Sequence, residues 1–417
     1  MLQKFLERSS IARKDFFTVF ILLLSVLGWY YMTLTMMNSI LSDLNVTHAQ
    51  NFIVWAAYYA AVIGSGIVGS ILSNRIGRLN LLYLWTLLGT VTSLLPVLFN
   101  SFTITHILIL TIFLGISLGL GMPSCLAYFA ECTIVENRGR IGGITLLITN
   151  LSAPLLVIPF KMFDLTVNSI IFAMWRGIGL IIFFLKPEEN FASKIKKNVS
   201  FTSILRDKPF LLYFVAWFMF CLVDRFEKSL IDNFLSNSMP SLLDVMVIME
   251  PVIGSLCILI AGLLCDWNGR KRIVVYGFVA LGLAYATIGL APSLTISWYF
   301  YFLIDGVAWG IFLVIFLLIL WGDLSQPGTR EKYYTIGSIP FFLSRAIPLL
   351  LAPSFIDLIS PYTAFSLASF FLFVAVLPLM YAPETLPERK IEFRQLRKYA
   401  EAARKVKEKY EEKGVKS

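Results

Sequence analysis

The sequence predicts an all-α integral membrane protein of twelve transmembrane helices, arranged as two homologous six-helix bundles with both termini cytoplasmic. Three observations carry this expectation. Long apolar runs follow one another through most of the 417 residues, of which 58% are hydrophobic and 15% charged; mean hydropathy is +0.77. A short polar loop between two of these runs recurs 192 residues later. The basic residues collect in alternate connecting segments.

Soluble chains of this length do not have such a composition. A bilayer core needs roughly 20 apolar residues per helix, and unpaired strand edges are excluded from lipid, which leaves helices. A barrel would need alternating polarity over ~10-residue segments, and the unbroken runs lack it. Twelve spans are expected, near residues 16–41, 49–73, 79–100, 103–130, 140–161, 166–186, 209–236, 240–265, 271–292, 296–322, 332–358 and 361–382. The longest polar connection separates the sixth from the seventh. Residues 1–15 are then a cytoplasmic tail, 16–186 the first bundle, 187–208 a cytoplasmic linker, 209–382 the second bundle and 383–417 a helical cytoplasmic tail. The opening run is too long for a cleaved signal peptide.

With the N-terminus inside, the inner segments hold 30 of the 35 Lys and Arg residues. The other five (Lys161, Arg176, Arg225, Lys228 and Arg345) lie in or at the ends of spans. This asymmetry places both termini in the cytoplasm of a cell membrane. It also accounts for the net charge of +9 without nucleic acid. The five cysteines fall in or beside apolar runs with no metal or disulfide spacing and read as small packing residues. The tail from Glu388 to Lys413 alternates acids and bases. It reads as a solvated helix marking the inner face, with anionic headgroups as the other possible partner.

The repeat rests on three landmarks. Asn74, Gly77 and Arg78 in the loop after span 2 stand 192 residues before Asp266, Gly269 and Arg270 after span 8. Glu131 and Arg138, seven residues apart after span 4, stand 192 residues before Asp323 and Arg330 after span 10. Pro187-Glu188 closes span 6 and Pro383-Glu384 closes span 12. Together these make a parallel repeat about an axis along the membrane normal.

The loop Gly262-Leu263-Leu264-Cys265-Asp266-Trp267-Asn268-Gly269-Arg270-Lys271, with its partner around Asn74-Arg75-Ile76-Gly77-Arg78, resembles the signature loop of the major facilitator superfamily. The Glu131…Arg138 pair and the closing Pro383-Glu384-Thr385 resemble the sugar-porter and organic-ion-porter branch, which includes metabolite:proton symporters. The likeness runs from Phe16 to Glu384. Departures are Ser70 and Asn74 where the family has Gly and Asp, and Trp267 where Arg is usual. The Gly-Pro run and buried span 4 Arg of drug antiporters are missing, as is the Gln-Gln pair of sugar porters in span 7.

Gly77 and Gly269 suit the backbone angles of a tight helix–helix turn. The resemblance implies that the charges beside them form an inner gate, with Asn74, Arg75, Gly77, Arg78, Glu131, Arg138, Asp266, Gly269, Arg270, Asp323, Arg330 and Glu384 as its residues. Ordinary positive-inside arginines are the plainer alternative, but they leave the matched acids unexplained. Since Asn74 carries no charge and Asp266 does, the second-half network is expected to be the stronger.

Ionisable groups at mid-membrane cost roughly 2.5–3.5 kcal/mol each on insertion scales, so each is a functional candidate. Arg176, Glu250, Asp305 and Arg345 fall near the midplane. Asp224, Arg225, Glu227 and Lys228 cluster in the outer half of span 7, where Asp224 and Lys228 can pair at i, i+4. Cavity-lining spans, by the resemblance, are 1, 4, 7 and 10 with 2, 5, 8 and 11 flanking, which leaves Arg176 peripheral and suited to packing. Glu250 and Asp305 are the candidate proton carriers, because burial favours a neutral carboxyl group. Arg345 would bind an anionic group or pair with one of the acids. In the first half Trp29, Tyr30 and Tyr58 can stack on a solute or simply fill the core. His48 and His106 read as outer-surface histidines, and Asn45-Val46-Thr47 is a glycosylation sequon in the first outer loop.

The function expected is a secondary active transporter moving a small organic solute (sugar, organic acid or other metabolite) by alternating access, coupled to protons. Its partners are that solute, protons and the lipid bilayer, with no nucleic acid, and it acts as a monomer. A multidrug or toxic-compound exporter is the alternative within transport, and a non-transporting sensor the alternative outside it. No nucleophile–base pair, metal cluster or phosphate loop supports an enzyme, and no cofactor is expected.

Overall fold

The computed structural model describes residues 13–99, 101–158, 162–185, 199–356 and 359–386. The tail expected to be helical from Glu388 onward and most of the 187–208 linker lie outside these residues. The described part is helical, with fifteen α-helices: α1 (Arg13–Asp43), α2 (His48–Ile76), α3 (Arg78–Thr92), α4 (Ile104–Gly119), α5 (Met122–Cys132), α6 (Arg138–Val157), α7 (Leu165–Ile181), α8 (Phe201–Leu205), α9 (Lys208–Ser238), α10 (Pro240–Asn268), α11 (Arg270–Leu290), α12 (Thr295–Phe312), α13 (Leu320–Leu324), α14 (Arg330–Ile356) and α15 (Pro361–Tyr381). Among the described residues 11 helices are long and apolar enough to cross a membrane. Expected span 4 is α4 followed by α5, and span 10 is α12 and α13 joined by a π-helical stretch, Leu313–Ile319. Expected span 11 is the 27-residue α14, which carries Arg345.

Local chemistry fixes the turns. Gly77 between α2 and α3 has φ 86°, and Gly269 between α10 and α11 has φ 99°. Side chains rarely adopt this conformation, so both helix pairs turn on glycine. The entry to α2 is closed by a capping box, with Gln50 N–H donating to Thr47 Oγ1 at 3.3 Å and Thr47 N–H to Gln50 Oε1 at 2.9 Å.

The repeat seen in the loops recurs in the packing. In the first part of the chain α2 packs on α4, α3 on α7, and α1 on α6 and α7. In the second, α10 packs on α12, α11 on α15, and α9 on α14 and α15. Each second-half contact joins the spans equivalent to those joined in the first. The most extensive contacts between the parts run α6 along α10 and α2 along α14. The first is close because both helices offer glycine: a Cβ on Gly262 would strike the carbonyl oxygen of Gly139. The repeat extends to a defect. Span 4 breaks at Leu120–Gly121, and span 10 leaves α geometry at Leu313, which is 192 residues after Gly121.

Candidate functional site

A cavity of about 770 Å³ lies between the two parts of the chain. Its walls come from α1 (Tyr30, Tyr31, Asn38), α6 (Asn150, Pro154), α9 (Asp224, Arg225, Lys228), α10 (Glu250), α12 (Tyr301, Asp305, Trp309) and α14 (Phe341, Arg345). The expected midplane acids and the expected outer cluster of span 7 therefore face one space.

The charges in it are unequally satisfied. Asp224 accepts from Trp309 Nε1 at 2.9 Å and pairs with Arg225 at 3.1 Å, while Arg225 lies 5.4 Å from the Trp309 ring centroid. Lys228 Nζ lies 3.5 Å from Asp232 and 3.7 Å from Glu250. The expected Asp224–Lys228 pair does not form. The indole and the neighbouring guanidinium hold Asp224, and the longer lysine arm reaches α10 instead. Glu250 Oε1 and Asp305 Oδ1 are buried and accept no hydrogen bond. The Tyr30 hydroxyl is likewise without a partner. The Arg345 guanidinium carbon lies 4.4 Å from the Phe341 ring centroid and 6.0 Å from that of Tyr30. Among the described residues no carboxylate lies within ion-pair distance of it.

Four sequence candidates lie elsewhere. Trp29 is buried in the first half and donates to Ser93 Oγ at 2.7 Å. Tyr58 is buried edge-on against Trp55 and Tyr59. Arg176 is fully buried 4.1 Å from the Trp85 ring centroid and donates to Ser25 Oγ at 3.2 Å. Gly89 makes room for it, since a Cβ there would meet the Arg176 side chain. Glu227 is buried and does not line the cavity.

At the loop end of the helices the remaining charges form a buried cluster. Arg78 bonds Glu131 Oε2 at 2.6 Å and Glu331 Oε1 at 2.5 Å. Arg330 lies 3.4 Å from Glu131, and Arg138 pairs with Asp323. Arg270 reaches Asp323 and Asp266, each at 3.1 Å, and donates to the Val135 carbonyl at 2.5 Å. Asp266 accepts the backbone N–H groups of Gly139 (3.0 Å) and Arg140 (2.8 Å) at the start of α6. Glu384 does the same for Arg270 (2.8 Å) and Lys271 (3.1 Å) at the start of α11. Both carboxylates therefore fill the unsatisfied donors of a helix N-terminus. Several of these bonds cross from one part of the chain to the other, so the cluster seals this face. Arg75 is exposed and Asn74 half-exposed, outside it.

Glu331 is the residue that loop matching does not single out. The repeat equates Arg78 with Arg270 and Glu131 with Asp323. Arg270 has a second carboxylate, Asp266, from its own loop; Arg78 has Asn74 at that place. Glu331, at the position equivalent to Gly139, supplies the missing charge from the other part of the chain. The signal was present in the sequence: an acid where the repeat has glycine, opposite an amide where it has an acid.

A polytopic helical bundle with a repeated fold, a charged central cavity and one face sealed by ion pairs defines a membrane transporter, not an enzyme. The sequence profile of the Major Facilitator Superfamily matches residues 18–241, and the chain belongs to that family. Among solved structures, the human organic anion transporter MFSD10 (TETRAN) is similar with a TM-score of 0.69 at 16% identity, over 88% of this chain and 99% of that one. The proton:xylose symporter XylE bound to 6-bromo-6-deoxy-D-glucose is similar with a TM-score of 0.66 at 16% identity, over 89% of this chain and 96% of that one. No curated protein matches the sequence.

Proposed function

We propose that this chain is a secondary transporter carrying a small organic solute together with a proton by alternating access. The observation that supports this most is one cavity lined by two carboxyl groups with unsatisfied oxygens, Glu250 and Asp305, and by the cation Arg345. A carboxyl group can exchange a proton as its surroundings change, while a guanidinium keeps its charge and can hold a solute. The two structural neighbours are an organic anion transporter and a proton:xylose symporter, which agrees with this reading. In it the halves 16–186 and 209–382 rock about the cavity. The ion-pair cluster is the inner gate, closed here, and both termini lie in the cytoplasm below a plasma membrane, with the monomer as the working unit. An exporter of cationic compounds would use the same acids; three basic side chains on the cavity wall count against it.

The test is counterflow and pH-driven uptake in proteoliposomes, with labelled sugars, carboxylates and cationic drugs. One class should accumulate when the gradient favours proton entry, and Asp305→Asn should abolish accumulation while leaving exchange. Accumulation by Asp305→Asn that still follows the gradient would refute coupling through this carboxyl group.

A further inference from the structure

The charged cavity does not end at its acids. Towards the ion-pair cluster it adjoins a smaller space of about 80 Å³. Tyr30, Tyr31, Asn150, Leu313 and Phe341 line both. The deeper walls are apolar: Leu118, Met122, Leu126, Trp217, Phe316 and Leu317 among them. A void of ~150 Å³ lined this way takes a benzene ring. The pit therefore suits a short alkyl group or the leading edge of a ring, with the rest of the molecule in the wider cavity.

The charge at the other pole follows from which groups can discharge. Arg225 and Lys228 already have carboxylates at 3.1–3.7 Å. Asp305, with Oδ1 unbonded and only 4% of the residue exposed, can discharge by taking a proton. Arg345 cannot discharge, and no described carboxylate pairs with it. The fixed charge left over in the cavity is thus a cation. Beside it the buried Tyr30 hydroxyl has no partner and lines both spaces. A bare aliphatic cation gains nothing from this pair; a carboxylate gains a charge-assisted bond from each. A sugar would leave its hydroxyls unbonded in the apolar pit, at a cost for every one.

We infer that the solute is an amphipathic organic anion, its carboxylate held by Arg345 and Tyr30 and its apolar end in the pit bounded by Phe316 and Trp217. This deepens the carrier reading and rests on it for the anion being cargo.

Isothermal titration of the purified full-length protein with 4-phenylbutyrate, its amide, its amine and gluconate tests the inference. The expected result is binding of 4-phenylbutyrate alone or at least about tenfold more tightly than the other three. Arg345→Gln should weaken it roughly ten- to a hundredfold, as loss of bonds to a charged group implies. Arg345→Lys, which keeps the charge, should retain part of the affinity and shows that the fold survives change at this position. Equal binding of the amide or amine overturns the anionic pole, and equal binding of gluconate overturns the apolar one. No binding of 4-phenylbutyrate to folded wild type, or binding indifferent to Arg345→Gln, overturns the inference as a whole. Arg345-dependent binding without uptake in proteoliposomes leaves this site standing and removes the carrier reading instead.

Discussion

Replacing Glu331 by Gln should open the sealed face. The carboxylate lies 2.5 Å from Arg78 Nη2, and the two side chains are 5% and 6% exposed, so solvent screens the pair little. Gln keeps the shape and one acceptor, and Arg78 keeps Glu131 at 2.6 Å. What is lost is the charge, about 2–3 kcal/mol for a buried charge-assisted bond, below the 3–5 kcal/mol of a fully orphaned ion. At ~1.4 kcal/mol per tenfold, this shifts the closed-to-open balance roughly 30- to 150-fold. Two native thiols can report it: Cys132 is 4% exposed beside Glu131, and Cys265 is fully buried beside Asp266. Their maleimide labelling, read by peptide mass spectrometry, should accelerate by that factor, with Cys125 and Cys221, buried elsewhere, as internal standards. Asn74→Asp in the Glu331→Gln background should restore slow labelling, because it puts a carboxylate four residues before Arg78, as Asp266 stands before Arg270. Arg75→Ala, at an exposed position, should do nothing. Unchanged labelling in Glu331→Gln, or no rescue by Asn74→Asp, would refute the view that Glu331 replaces the missing loop acid.

Two further outcomes follow from packing. Gly262→Leu places a side chain against the Gly139 carbonyl, which must part α6 from α10; Cys265 labelling should rise and uptake should fall, and wild-type values for both would disprove a closed face that depends on this contact. Arg176→Met removes a buried cation whose Nε and Nη2 have no hydrogen bond; thermal stability in detergent should hold or rise, since an apolar side chain of similar length avoids the desolvation cost, and destabilisation by more than about 2 kcal/mol would show that its stacking on Trp85 dominates.

Most of the fold was legible because lipid leaves few choices. Apolar runs give spans, basic segments give an expected sidedness, and the fixed offset between Gly77 and Gly269 gives the repeat. Pairings were less legible. Asp224 and Lys228 share a helix face, yet their partners, Trp309 and Glu250, come from α12 and α10. Helical spacing says which residues can meet within a helix and nothing about which neighbour offers a better bond. Trp29, Tyr58 and Arg176 lie in the first-half core, the packing role that the sequence also offered for each of them. The π segment at Leu313–Ile319 has no glycine or proline to announce it.

The division of labour between the halves narrows where coupling would run under the proposed function. Three second-half spans carry charged residues both in the cavity and in the ion-pair cluster, among them Glu250 and Asp266 in α10, Asp305 and Asp323 in span 10, and Arg345 and Glu331 in α14. At ~1.5 Å per residue these pairs are roughly 21–27 Å apart along their axes. First-half spans supply Arg78, Glu131 and Arg138 to the cluster but only uncharged groups to the cavity. A proton or anion arriving in the cavity therefore acts on charges anchored in the second half, and its effect can reach the sealed face along helices that move as bodies. Span 10 alone among these three has a stretch of altered pitch between its two acids. Where rigid rods link site and gate, a change of helical pitch in one of them alters the distance between Asp305 and Asp323 without moving the other two, and that makes span 10 the first place to look for movement between the closed and open forms.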